Sequence, residues 1–303
     1  MFGLDNNVQH IDWWHEALPG SGEGFAHEGT LTSTISNPTI TIGLTNYWNM
    51  TLGVYVGQRT MDWTGDTTTI HHRDEGTESN FLNAIGGYLG DTKLLFRYLV
   101  FNDGQGPGRR FFLGGGLVLP SKNTLTSDPF FLNGEEQVDH RHFTISEGLY
   151  KGCFEVQFFK KQTKNPVFFG GTLSGEIPLS ENKYGFKGSN IYDLSLTVFS
   201  KKISLINGSL GGSIITRHTT KAYWNGTTAP NSRATVLTVG LGGLWNLDIG
   251  SISVNVQKPF FIEGAFSGIE GELDQRVGTW QASISYRKLL DIVIPWLDPF
   301  RNL

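Results

Sequence analysis

No stretch of this sequence is apolar for long enough to form a membrane-spanning helix. The hydrophobic runs are short and broken by glycine, and mean hydropathy is −0.19. That excludes a helical membrane protein but not a wall of half-polar strands, which hydropathy scans miss. Cysteine is nearly absent. Cys153 is the one example in 303 residues, so there is no intramolecular disulfide framework, and Cys153 reads as a small residue in a strand. Surplus positive charge is also missing. The net charge is −4 and no basic stripe occurs, which argues against a nucleic-acid partner. The opening MFGLDNNVQHIDWWHEALPG has no basic region leading into an apolar core, so no secretory signal is legible there. A secreted barrel then requires that a signal was removed or that the fragment is incomplete.

What the chain has is alternation. In residues 149–179, Tyr150, Gly152, Phe154, Val156 and Phe158 form an apolar row opposite Lys151, Cys153, Glu155 and Gln157. After the compact turn KKQTKNP the pattern resumes, with Phe169, Gly171, Leu173, Gly175 and Ile177 opposite Gly170, Thr172, Ser174 and Glu176. A period of two means β-strand. Runs of about ten residues exceed the usual soluble strand and suffice to cross a bilayer when tilted. A chain with 39 glycines, 21 phenylalanines and 8 tryptophans suits a curved, aromatic-rich wall.

The same reading gives strands at 28–36, 39–46, 50–62, 89–102, 109–119, 149–158, 169–179, 190–200, 204–217, 233–246, 250–262 and 275–288. Asn37-Pro38 separates the first two. From the second strand onward, connections alternate short and long, the longest being 63–88 and 120–147. Short turns at one end and long loops at the other, with an even strand number, define an outer-membrane barrel. A sandwich or propeller lacks that two-class loop pattern. The expected fold is therefore all-β: a single antiparallel up-and-down transmembrane β-barrel of about 12 strands over residues 28–289. Residues 1–27 are expected as an irregular periplasmic or luminal segment, and 290–303 as a C-terminal tail interrupted by Pro295 and Pro299. Tyr47, Trp48, Trp63, Phe101, Phe158, Phe159, Phe168, Trp245, Phe260 and Phe261 lie near strand ends, as girdles at the lipid–water boundaries require.

Three segments carry a resemblance to a known group. They are ITIGLTNYWNMTLGVYV, with its turn Gly43-Leu44-Thr45-Asn46-Tyr47-Trp48; LGDTKLLFRYLVFN, starting at Gly90-Asp91; and FFLGGGLVLPSKN, which runs into Leu119-Pro120-Ser121-Lys122. Across most of 38–289 the chain resembles bacterial outer-membrane barrels of the phenol meta-cleavage pathway transporter type. The resemblance implies an outer-membrane location, contact with membrane lipid and lipopolysaccharide, and passage of small organic compounds. It implies no particular substrate.

With this register the inward rows carry Arg59, Lys93, Arg97, Lys151, Glu155, Glu176, Asp193, Arg217 and Arg287. Charges of both signs facing a lumen set the selectivity of a channel for a small-molecule solute. Alternatively they pair and plug a narrow barrel as a polar core. His71, His72, His140 and His142 sit in two outer loops beside Asp74, Glu75 and Asp139, a setting open to metal capture, although no ligand spacing there is diagnostic. A lipid-hydrolase barrel would draw on Ser146, Ser283 or Ser285, but no G-x-S-x-G elbow occurs. Gly114-Gly115-Gly116 lies within a strand with no following helix, so it is not a phosphate cradle. The sequence thus points to a passive channel that is not an enzyme, with no cofactor and no resident metal.

Overall fold

The computed structural model describes residues 1–16, 25–64, 74–79, 81–104, 106–132, 139–264, 266–267 and 274–292. Twelve long strands build the wall: β1 (Phe2–His15), β2 (His27–Gly43), β3 (Trp48–Trp63), β4 (Leu89–Asn102), β5 (Gly108–Leu119), β6 (Lys151–Lys161), β7 (Phe168–Pro178), β8 (Ile191–Phe199), β9 (Ser209–Thr219), β10 (Ala234–Leu247), β11 (Gly250–Glu263) and β12 (Gln275–Lys288). Each pairs antiparallel with the next, and β1 pairs with β12 from Phe2↔Lys288 to His15↔Gln275. This last ladder closes the sheet and removes its free edges. The fold is the expected twelve-stranded antiparallel barrel, with both described chain ends on the short-turn side.

The strand number agrees with the sequence reading, but two of the strands differ. Residues 2–15, expected to be irregular, form β1. Neither of its alternating rows is uniformly apolar, so nothing local marks the strand. Its ladder partners, β2 and β12, supply the order. Residues 27–43 form one strand instead of two, because Asn37-Pro38 does not break it. The β1 ladder runs straight through Leu4↔Pro38, whereas the β3 ladder skips from Ser36↔Val56 to Thr39↔Gly53. The missing proline N–H costs pairing on one side only. Residues 293–303 of the expected tail lie outside the described residues.

The outward rows are apolar and exposed: Phe96, Tyr98 and Val100 on β4, Leu194, Leu196 and Val198 on β8, Leu241 on β10, and Val254 and Val256 on β11. So continuous a greasy belt is incompatible with a soluble monomer and fits acyl chains. β2 and β3, at 17 and 16 residues, exceed the roughly ten residues a tilted strand needs to span. Their far halves therefore stand above the belt, and there the outward row of β2 turns polar: Glu28, Thr30, Thr32, Thr34 and Ser36. At the short-turn end Trp48 and Tyr47 pack on Tyr98 at 5.0 and 6.1 Å. At the same end of another strand, β10, the indole Nε1–H of Trp245 donates to Ile206 O at 3.1 Å. These are girdle positions. Four residues expected in the girdles turn inward instead, because strand parity places them in the other row. Trp63 stacks edge-on with Trp13 at 5.0 Å, Phe159 and Phe168 pack at 5.8 Å, and Phe261 meets Phe266 at 5.1 Å.

The tightest packing lies in the long loops. Arg141, Leu149, Thr77, Pro129 and Ser146 are among the most deeply buried side chains. Loop 120–150 is pinned to the inner wall at several points. Arg59 Nη1 donates to Thr144 O at 2.8 Å. The backbone N–H of Ser121 donates to Asp91 at 3.1 Å, and Glu147 pairs with Lys151 at 2.7 Å. The Asn83 side chain brackets the Arg141 backbone, donating to its carbonyl at 3.0 Å and accepting its N–H at 2.8 Å. A second cluster, Ala222, Trp224 and Ala229 with Leu125, Leu132, Tyr184 and Phe186, ties the next two outer loops to this one.

Candidate functional site: the lumen and its outer vestibule

Strand register decides which inward charges meet. Arg97 on β4 and Glu155 on β6 face the same β5 residue, Gly114. Because Gly114 has no side chain, the guanidinium reaches across it and grips the carboxylate twice, at 2.5 and 3.3 Å. Arg97 Nη1 also donates to Thr51 Oγ1 at 2.9 Å. One level outward, Glu176 on β7 takes Lys93 at 2.9 Å and Lys151 at 3.8 Å. These pairs line the β4–β7 side, where the Lys151 side chain is only 5% exposed. Beneath them Leu95, Val118 and Cys153 form a small apolar core, in which the one cysteine is buried.

The rest of the lumen is less filled. Arg217 on β9 pairs bidentately with Asp193 on β8, at 2.7 and 3.0 Å, yet its inward-facing side chain remains 60% exposed. Arg287 on β12 binds Asp5 on β1 at 2.7 Å with the guanidinium 39% exposed. Open space therefore adjoins the inward Arg217 and Arg287, on β9 and β12, while ion pairs fill the interior along β4–β7.

All nine inward charges named from sequence have partners on the inner wall or its loops, Arg59 through Thr144. Two partners escaped the reading. Asp5 lies in the segment expected to be irregular. Glu147 lies in a loop, and its one local signal is its i,i+4 spacing from Lys151.

Above the lumen sits a cavity of about 330 Å³. Arg59 and Glu147 give it a polar floor, and Phe130, Phe143, Phe186 and Trp224 give it apolar walls. That mixture suits a small ligand with an apolar body and a polar group. Beside it Arg141 is fully buried, and its three guanidinium nitrogens make no hydrogen bond among the described residues. The Phe143 ring at 5.8 Å is its nearest π-face. Burial pushes this guanidinium down from its ordinary range, with Glu75 opposing the shift.

His71 and His72 lie outside the described residues. The His140 and His142 rings are 4.5 Å apart, but among the described residues no three His, Cys, Asp or Glu side chains converge as metal ligands. Ser146 is buried, and its Oγ accepts the Gly148 N–H at 3.0 Å and hydrogen-bonds Asp91. Ser283 and Ser285 sit on β12 opposite Asn7 and Asp5.

No protein-family model and no curated protein sequence matches the chain. Among solved structures, an outer membrane channel from Pseudomonas putida F1 is similar over 94% of both chains, with a TM-score of 0.56 and 12% identity. The TodX monoaromatic hydrocarbon channel aligns with a TM-score of 0.39 and 11% identity, over 94% of this chain and 89% of that one. The translocator domain of the autotransporter NalP from Neisseria meningitidis gives 0.36 and 10%, over 95% and 88%. The first likeness establishes the shared fold of an outer-membrane β-barrel. The two weaker ones add nothing to it.

Proposed function

We propose that the protein is a passive channel of the bacterial outer membrane that admits small solutes through a lumen of mixed charge. The observation that carries this reading is the contrast between the two sides of the lumen. The β4–β7 side is packed with ion pairs, whereas Arg217 faces inward with its side chain still 60% exposed. A lumen filled all round would cover the Arg217 side chain. Arg59, Lys93, Arg97, Lys151, Glu155, Glu176, Asp193, Arg217 and Arg287 then act as pore-lining groups. They set which ions or polar groups pass, and the inward-folded loop 120–150 sets the width. The vestibule above Arg59 and Glu147 selects solutes with an apolar body, which agrees with the small organic compounds implied by the transporter resemblance. Lipid and lipopolysaccharide surround the apolar belt.

Refolded protein in planar bilayers tests the reading. Discrete conductance steps are expected, and Lys93→Gln or Arg97→Gln should move the reversal potential toward cation preference. A folded barrel that passes neither ions nor small solutes would overturn it.

A further inference from the structure

Charge is unevenly placed along this chain. The net charge is −4, yet no aspartate or glutamate occurs at 156–175 or at 194–247. Two short turns lie within those stretches, 162–167 between β6 and β7 and 200–208 between β8 and β9. Lys160, Lys161, Lys164, Lys201 and Lys202 stand at these turns, and all five are exposed. The ion pairs among the described residues include none of them. Asp103, an acid in the next short turn, is already held by Arg109 at 2.9 Å.

The two turns make one surface. The Lys201 N–H donates to Asn165 Oδ1 at 2.9 Å, and the Val167 N–H donates to Phe199 O at 2.9 Å. Lys164 is thereby held close to Lys201. Lys160 faces Phe169 across the β6–β7 ladder, at the lower edge of the apolar belt.

Apolar side chains stand among these lysines. Leu205, in the second turn, is 92% exposed, and Ile206 beside it is 37% exposed. The turn holds them firmly. The Ile203 N–H donates to Gly208 O at 2.7 Å, Asn207 takes the left-handed conformation with φ 52°, and the Trp245 indole grips Ile206 O. A leucine fixed outward in water forgoes the gain of burial, whereas one at the headgroup–acyl boundary is covered. Lysine stems lie along acyl chains while their ammonium groups reach the phosphates. Short turns face the periplasm, so the lipid at this level belongs to the inner leaflet. Peptidoglycan, another polyanion of that compartment, has no apolar part to cover Leu205.

We propose that these two turns bind anionic phospholipid of the inner leaflet, the lysines taking the headgroup phosphodiester and Leu205 entering the acyl boundary. A zwitterionic headgroup carries its own ammonium beside the phosphate and gains less from a group of lysines. The surface lies on the short-turn rim, apart from the vestibule, and it rests on the barrel's place in the outer membrane.

The test reconstitutes the full chain in phosphatidylcholine vesicles holding a minor fraction of phosphatidylglycerol. A bimane label at Ser204→Cys, in a Cys153→Ser background, reports lipid contact beside Leu205 through quenching by acyl-brominated phospholipid. Brominated phosphatidylglycerol should quench as though enriched over its bulk fraction, by about 5-fold for each lysine that reaches the headgroups, and less so in high salt. Changing Lys160, Lys164, Lys201 and Lys202 together to glutamine should abolish that enrichment, with the heat-modifiable gel shift confirming the folded barrel. Leu205→Ser should weaken quenching by both brominated lipids. Equal quenching by the two lipids with the lysines in place would overturn the proposal. Co-sedimentation with peptidoglycan sacculi that depends on the same lysines, without phosphatidylglycerol enrichment, would overturn it in favour of the cell wall. Conductance of the same protein in planar bilayers tests the channel reading separately from either result.

Discussion

Replacing Glu176 with glutamine removes the carboxylate that Lys93 and Lys151 share. At an effective dielectric near 20, distances of 2.9 and 3.8 Å correspond to about 4–6 kcal/mol of gross attraction for each pair. Desolvation of the three charges cancels most of this, and removing one partner of a buried pair costs about 3–5 kcal/mol net. Lys93 and Glu176 keep 25% and 20% of their exposure, and Lys151 retains Glu147 at 2.7 Å. Screening and the surviving partner therefore place the loss lower, at about 2 kcal/mol. The lumen also gains one net positive charge, so the reversal potential should move toward anion preference. Unfolding midpoints in urea, read from the heat-modifiable gel shift of the barrel in lipid vesicles, measure the first effect, and planar bilayers measure the second. The double variant Lys93→Met/Glu176→Leu should recover much of the stability, because an apolar pair leaves no charge without a counterpart. Unchanged midpoint and reversal potential in Glu176→Gln would refute the reasoning.

Other consequences follow from the same geometry. Leu241→Arg, on the exposed outward row of β10, should cost about 2–4 kcal/mol of folding free energy in lipid. Arginine at inward Ser213 on the neighbouring strand should cost much less, and folded fraction in vesicles compares the two. Leu149 is 1% exposed at the root of loop 120–150, so Leu149→Ala should cost about 2–5 kcal/mol and loosen the constriction, which single-channel recording would show as larger or noisier conductance steps. Asp103, in the turn between β4 and β5, is held below the usual carboxylate range by the Arg109 side chain and then by its backbone N–H. A depressed folded value stabilises above the unfolded value and is lost as pH falls through the folded one. The stability difference between wild type and Asp103→Asn should therefore be full at neutral pH, begin to decline as pH falls towards about 4 and vanish only once pH lies below the depressed folded value. A difference independent of pH would contradict that.

What could be read from the chain and what could not divide along a physical line. Alternation with period two is a local property, so ten of the twelve strands, the short and long connections and the inward parity of Lys93, Arg97, Glu155 and Arg217 were legible residue by residue. β1 was not, because its rows are mixed and its order comes from β12, more than 250 residues away in sequence. Pro38 also misled, since its cost depends on which neighbour its missing N–H would have served.

Pairing is the part that sequence could not supply. Parity says that Arg97 and Glu155 face inward, but only the stagger of three strands puts Gly114 between them. The basic surface of the two short turns likewise depends on the contact between Lys201 and Asn165, not on either turn alone. The sequence by itself determined a greasy exterior and a charged interior, because each residue's side is set by counting along its own strand. Tertiary structure decided which charges neutralise each other, which stay exposed and which turns adjoin, because those depend on register between segments that no local pattern connects.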